Sequence, residues 1–305
     1  MSGYGMLFPG QGSQKPGMGK EFYDAHERVK QVFNTAESVL KDCSVKSLCF
    51  EADEEELRKT ENTQPALYTV SYAIYSVLEQ AGYRGEVFAG HSLGEYTAVT
   101  AAGFLDFSEG LRVVRTRGLL MRDCDPDRKG GMAAILGLEA DEIDRVCRET
   151  GEVWPANFNS PGQIVISGTK EKVNEAMEKL KTLGAKRAVV LNVGGPFHSP
   201  FMKEAADRLK RELESAHWKK GRGKIISNAT GVLTDDPAKL EQGLVAQLSS
   251  PVLWSSSMST LVRMGYTKYI ESGPGTVLRG LFRSISKEAE VYSVERPSEM
   301  EALAG

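Results

Sequence analysis

The chain has 305 residues, 41% hydrophobic and 26% charged, which is enough to bury a large core and too apolar for disorder. Its 38 Lys and Arg against 41 Asp and Glu leave a net charge of −3, which argues against a nucleic-acid binder. Four cysteines and four histidines show no metal-ligand spacing, and no stretch approaches the length of a membrane span, so a cytoplasmic protein without metal or membrane partner is expected.

In chain order, Tyr4 to Phe8 is a short apolar run ended by Pro9-Gly10 and reads as a first strand. Gly10-Gln11-Gly12-Ser13-Gln14 follows, a polar loop matching neither a Walker loop nor a dinucleotide fingerprint. It suits a surface turn and a ligand-approaching backbone equally well, with Gln11 as an amide donor in the second case. His26 falls in an early amphipathic helix. A helical pattern then runs from Thr63 to Ala81, with Leu67, Val70, Ile74 and Val77 on one face, Thr63 as N-cap and Pro65 in the first turn. Tyr68, Tyr72 and Tyr75 lie off that stripe and read as packing residues.

Val87 to Glu95, VFAGHSLGE, is the stretch around which the rest is arranged. An apolar run climbs to a glycine, turns over Ser92 and enters an alanine-rich helix, which is the G-x-S-x-G nucleophile elbow. Gly90 and Gly94 supply the two unhindered positions a tight strand-to-helix turn requires. Amides opening the next helix would face negative charge developing on a bound carbonyl oxygen. The second helix, Asp106 to Asp123, carries Arg115 one step from its apolar stripe and Arg117 on the border. A solvated face is the plain reading of either. Arg117 has an alternative, as a bidentate receptor for a substrate carboxylate.

After a charged joint, the order becomes strand Met132–Leu136, helix Glu139–Glu149, strand Val153–Ala156, turn Asn157–Gly162, strand Gln163–Ser167, helix Lys170–Leu183 and strand Lys186–Asn192. This β-α-β-β-α-β order is that of a ferredoxin-like unit. The expected fold class is therefore α/β. An α/β-hydrolase-like large domain over residues 1–126 and 195–305 carries the nucleophile elbow, and residues 127–194 form the inserted small domain.

The chain returns through Gly195-Pro196-Phe197-His198-Ser199-Pro200, with Ser199 as N-cap and Pro200 at the first helical position. A strand over Lys224–Asn228, a helix over Lys239–Leu248, a strand over Thr267–Glu271, a helix through Val277–Ile285 and a strand over Glu290–Val294 complete the chain. Among the histidines, His91 lies inside the elbow and should point away from Ser92, either supporting the turn or touching substrate. His217 sits in a basic, exposed stretch with Lys219, Lys220 and Arg222, where positive charge could serve an acidic partner. His198, pinned between two prolines, is the best-mounted base for Ser92. No acid between Ser92 and His198 sits at a strand end, so a backbone carbonyl is the alternative third member.

These motifs together resemble the malonyl-CoA:acyl carrier protein transacylases of fatty acid synthesis. The matching pieces are FPGQGSQ from Phe8, GHSLGE from Gly90, RTRG from Arg115, NFNSPGQ from Asn157, GPFHS from Gly195 and ESGPG from Glu271. The resemblance implies that Ser92 is acylated, His198 is its base and Arg117 grips the malonyl carboxylate. It further implies an oxyanion hole from the amides of Gln11 and Leu93, and a main-chain carbonyl of Gln247 orienting the histidine. His91, Asn157, Asn159 and Phe197 would line the cleft. The implied substrate is malonyl-CoA and the implied partner an acyl carrier protein bearing phosphopantetheine. No cofactor is bound permanently, and a monomer is expected. An acyltransferase loading polyketide carrier proteins, a serine hydrolase and a binding module without turnover are the competing readings. Arg117 and the missing acid oppose the hydrolase.

Overall fold

The computed structural model describes residues 3–303; the outermost residues of the expected domain ranges, 1–2 and 304–305, lie outside them. The strands in chain order are β1 Tyr4–Phe8, β2 Gly85–Gly90, β3 Gly130–Leu136, β4 Val153–Ser160 and β5 Gln163–Thr169. They continue with β6 Arg187–Leu191, β7 Lys224–Ile226, β8 Leu233–Thr234, β9 Lys268–Ser272 and β10 Glu290–Val294.

Six of them form one sheet in the order β10-β9-β1-β2-β7-β8. Its pairs are parallel except β7 with β8. Helices cover both faces, so β1 and β2 bury Leu7, Phe8, Val87 and Phe88 almost completely. β2 is a central strand, and the elbow sits at its carboxyl end, where open α/β sheets present their ligand crevice.

The helix Thr60–Gln80 packs against this sheet and is buried nearly all round. It begins three residues before the expected start. Thr63 is not its N-cap; the Thr63 hydroxyl donates instead to the Leu57 carbonyl. Pro65 therefore lies within the helix, and its missing N–H frees the Glu61 carbonyl four residues back. Arg115 Nη1 donates to that carbonyl at 2.6 Å while its other nitrogens hold Asp42. Tyr68 and Tyr75 are buried as packing residues, and Tyr72 stacks on Phe107 with centroids 4.9 Å apart.

The other four long strands form an antiparallel sheet ordered β4-β5-β3-β6. Counted within the segment this order is 2-3-1-4, the pairing of a split βαβ unit. Alternation divides its faces: Ala133, Ile135, Ile164 and Ile166 pack on the helices Ala140–Thr150 and Lys170–Thr182. Met132 and Val165 face the opposite way, toward the large sheet's crevice. Two expectations are corrected here. Asn157 to Ser160 belongs to β4, and only Pro161-Gly162 turns. This segment holds an extended form because it also pairs outward, with Phe158 N–H donating to the Val252 carbonyl and Val252 N–H to Ala156. Ser199 does stand before a helical turn, but its hydroxyl donates to the Pro196 carbonyl rather than capping.

His26 joins two helices rather than lying inside one, stacked on Phe22. The basic stretch is partly neutralised, since Lys219 pairs with Asp106 and Arg222 with Glu79. All four cysteines are free thiols. No helix among the described residues is long and apolar enough to cross a membrane.

Candidate active site

Ser92 stands at φ 50° between β2 and the helix Leu93–Ala101, a strained conformation for a non-glycine residue. The neighbouring glycines make it possible. A Cβ on Gly90 would sit 1.9 Å from the Gly94 carbonyl carbon, and one on Gly94 would sit 2.0 Å from the Phe8 carbonyl oxygen. Gly10 serves the adjoining loop likewise, since its Cβ would lie 2.3 Å from the His91 carbonyl oxygen. The Gly10–Gln14 loop is therefore pressed against the elbow, which favours the ligand-approaching reading over the surface turn.

His198 also has a positive φ, 56°, in the segment between Pro196 and Pro200. Its Nε2 lies 2.8 Å from Ser92 Oγ and its Nδ1 lies 2.8 Å from the Gln247 carbonyl oxygen. A carbonyl can only accept, so Nδ1 carries the hydrogen and Nε2 turns a lone pair to the serine. Burial, with the nearby Arg117 charge, holds the imidazole down at about 3, so it is neutral at pH 7. The carbonyl thus replaces the acid of a Ser-His-Asp arrangement.

Arg117 is only 1% exposed. Its Nη1 donates to Gln64 Oε1 at 2.7 Å, and its Nη2 donates to Ser92 Oγ at 3.0 Å and Gln247 Oε1 at 3.1 Å. The guanidinium also lies over the Tyr96 ring, 5.1 Å from its centroid. A cation is thus buried against neutral acceptors beside the hydroxyl, which leaves room for an anionic ligand to improve its pairing. Arg115 is engaged by Asp42 and the Glu61 carbonyl and does not line the cavity, which separates the two arginines that the sequence pattern left close.

Gln11 and Leu93 both line the cavity, and neither main-chain N–H donates to another group among the described residues. The Gln11 side chain is occupied, accepting from the Thr60 hydroxyl at 2.8 Å. The cavity, about 190 Å³, is bounded by Ser92, His198 and Arg117 from the large sheet's side. Asn157 and Asn159 bound it from β4, and Phe197 from the returning loop. His91 turns away from the hydroxyl, with Nε2 2.8 Å from Asn159 Oδ1, so it ties the elbow to β4. Gln247 stands behind His198 and Arg117 at the end of the helix Pro237–Gln247.

Three residues in this arrangement had no role assigned from the sequence. Asn228 accepts from Ser92 N–H at 2.8 Å through Oδ1 and donates to the Gly90 carbonyl at 2.8 Å, clamping the elbow. Gln64 holds Arg117, and Glu95 accepts from the Gln247 amide. Asn228 stands two residues past the end of β7, at the sheet's carboxyl edge next to β2, which is the signal that could have found it.

The model of the acyl transferase domain family matches residues 6–296. The malonyl CoA-acyl carrier protein transacylase of Bacillus subtilis is 43% identical over 305 residues, spanning 99% of this chain and 96% of its own. An acyl carrier protein S-malonyltransferase from Vibrio cholerae superposes with TM-score 0.95 at 40% identity, covering 99% of this chain and all of that one. A malonyl-transacylase solved in complex with its type II PKS acyl-carrier protein matches with TM-score 0.95 at 39% identity, over 99% and 98% of the two chains. With a buried arginine beside the elbow serine and likeness over nearly its whole length, the chain belongs to the malonyl-CoA:acyl carrier protein transacylase family.

Proposed function

We propose that this protein transfers a malonyl group from malonyl-CoA to the phosphopantetheine thiol of an acyl carrier protein, through a malonyl ester on Ser92. The observation that carries this reading is Arg117, fully buried with Nη2 3.0 Å from Ser92 Oγ. A planar cation at that distance suits an acyl group that ends in a free carboxylate.

In this reading Ser92 Oγ attacks the thioester carbonyl as His198 Nε2 takes its proton. The developing oxyanion is held by the amides of Gln11 and Leu93. Collapse expels the coenzyme A sulfur, which leaves with the proton from His198. The carrier's thiol then gives its proton to the same nitrogen and attacks the ester carbonyl, and collapse expels Ser92 Oγ, which takes that proton back from His198. The carrier is proposed from the relative solved with one. The site is complete within one chain, which supports a working monomer. We also place the small-domain boundaries at 127–194, with 1–126 and 195–305 forming the catalytic domain.

The test is intact-mass analysis after mixing with malonyl-CoA, then adding phosphopantetheinylated carrier protein. A malonyl adduct should form on the parent, be absent from Ser92→Ala and pass to the carrier. Arg117→Ala should lower kcat/KM for malonyl-CoA by about 30- to 4,000-fold, since breaking a buried charged pair costs about 2–5 kcal/mol, while acetyl transfer holds or rises. Equal losses on both substrates would remove Arg117 from acyl recognition.

A further inference from the structure

Glu95 lies three residues past the nucleophile, is 1% exposed and is not among the residues lining the cavity. No cationic side chain pairs with it among the described residues. Its Oε2 accepts from Gln247 Nε2 at 2.6 Å and its Oε1 from the Asn228 main-chain N–H at 3.2 Å. Both neighbours present hydrogens, which suits an ionised carboxylate. Burial pushes the carboxyl up to about 7, while those two donors and the Arg117 charge act the other way.

The Gln247 amide can sit either way round. As it stands, Nε2 also donates to the Ser92 carbonyl at 2.9 Å and Oε1 receives Arg117 Nη2 at 3.1 Å. Reversed, its oxygen would face three oxygens, those of Glu95, the Ser92 carbonyl and Asn228, and its NH2 would face the guanidinium. Of the two principal acceptors on Nε2, the carboxylate is the nearer and the charged one, and charge-assisted bonds are roughly twice as strong as neutral ones. Arg117 Nε is buried without a partner, so the guanidinium's hydrogen bonds are made by its terminal nitrogens alone.

We propose that Glu95 is a positioning residue for acyl selection: its carboxylate fixes the orientation of the Gln247 amide, which aims Arg117 at the acyl group's free carboxylate. The inference rests on the reading of Arg117 given above. Glu95→Gln preserves size but removes the charge and, turned over, offers a competing donor. Gln247→Leu removes the amide and keeps the main-chain carbonyl that serves His198.

The experiment measures kcat/KM for malonyl-CoA and acetyl-CoA at about pH 8, above the Glu95 carboxyl's range, with one carrier protein, on the parent, Glu95→Gln, Gln247→Leu and the double variant. Glu95→Gln should lower the malonyl-to-acetyl ratio by about tenfold or more, the scale of a lost hydrogen bond to a charged group. Gln247→Leu should do the same, and the double variant should fall no further than either, because both act through one amide. An unmoved ratio, equal losses on both substrates or additive falls overturn the proposal. Should Glu95→Gln fail to fold, Gln247→Leu decides: a tenfold fall supports the proposal and a parental ratio overturns it. A parent without any malonyl preference fails the Arg117 reading itself; a parental preference with unmoved variants fails only the role of Glu95.

Discussion

At the scale of single residues, His198 shows how burial sets chemistry. An imidazole in water changes charge near 6.5, but here burial and the Arg117 cation hold it down at about 3. Acylation by acetyl-CoA, which brings no carboxylate to Arg117, should therefore stay flat in single-turnover measurements from about pH 8 to about pH 5. An acid limb centred near 6.5 would show a solvent-exposed base instead. Stability carries the same signature. The unfolded chain binds this proton near 6.5 and the folded chain only near about 3, so His198 withdraws stability as pH falls across that interval. His198→Ala should lose that part of the acid-side decline in Tm and slow both half-reactions by about 10²- to 10⁴-fold. Rates within about threefold of the parent would take the residue out of the mechanism. The mounting of His198 beside Ser92 was legible in the sequence because two prolines bracket the segment. Gln64 was not, because a glutamine in an apolar helix says nothing about an arginine 53 residues later.

Among the elements, the turn of the elbow was readable in full and the first long helix only in type. Only Gly90 meets atoms of its own turn, whereas Gly94 is required by the Phe8 and Pro9 carbonyls, so the five-residue pattern states the turn but not its contact with β1. Gly94→Ala forces a Cβ against the Phe8 carbonyl oxygen and should cost about 1–3 kcal/mol or more, with loss of acylation. Gly280 lies in the exposed face of the helix Val277–Ile285 with nothing near its missing Cβ. Gly280→Ala should raise stability by up to about 1 kcal/mol, because alanine loses less backbone freedom in a helix. Urea denaturation of the two variants checks both signs, and a neutral Gly94→Ala would mean that the elbow can relax away from β1. For the helix Thr60–Gln80 the sequence points to a later start, because Pro65 looks like a first-turn residue. It sits deeper because Arg115 takes the carbonyl that the proline leaves free.

For the whole molecule, the antiparallel sheet closes over the parallel one, and Ser92, His198 and Arg117 line the cavity between them. His91 to Asn159 and the exchange between β4 and Val252 fasten the two sheets at the site. Shelter from water is what lets a thiol compete for the serine ester. Asn159→Ala should therefore raise the hydrolysed share of malonyl-CoA relative to transfer, by about fivefold if one such bond of about 1 kcal/mol is lost. The readout is free malonate against malonyl-carrier at equal enzyme, and an unchanged partition would assign closure to other contacts. The sequence by itself determined what depends on neighbours along the chain: the elbow, the proline-bracketed histidine, the β-α-β-β-α-β order and the motif set that marks the family. Only the tertiary structure decided how Arg117 is held by Gln64 and Gln247, which amide clamps Ser92, and that Asn157 to Ser160 is strand rather than turn. Each of those depends on a hydrogen bond between segments far apart in the chain. A burial that leaves a polar group one good partner is set by packing, and spacing along a sequence does not record it.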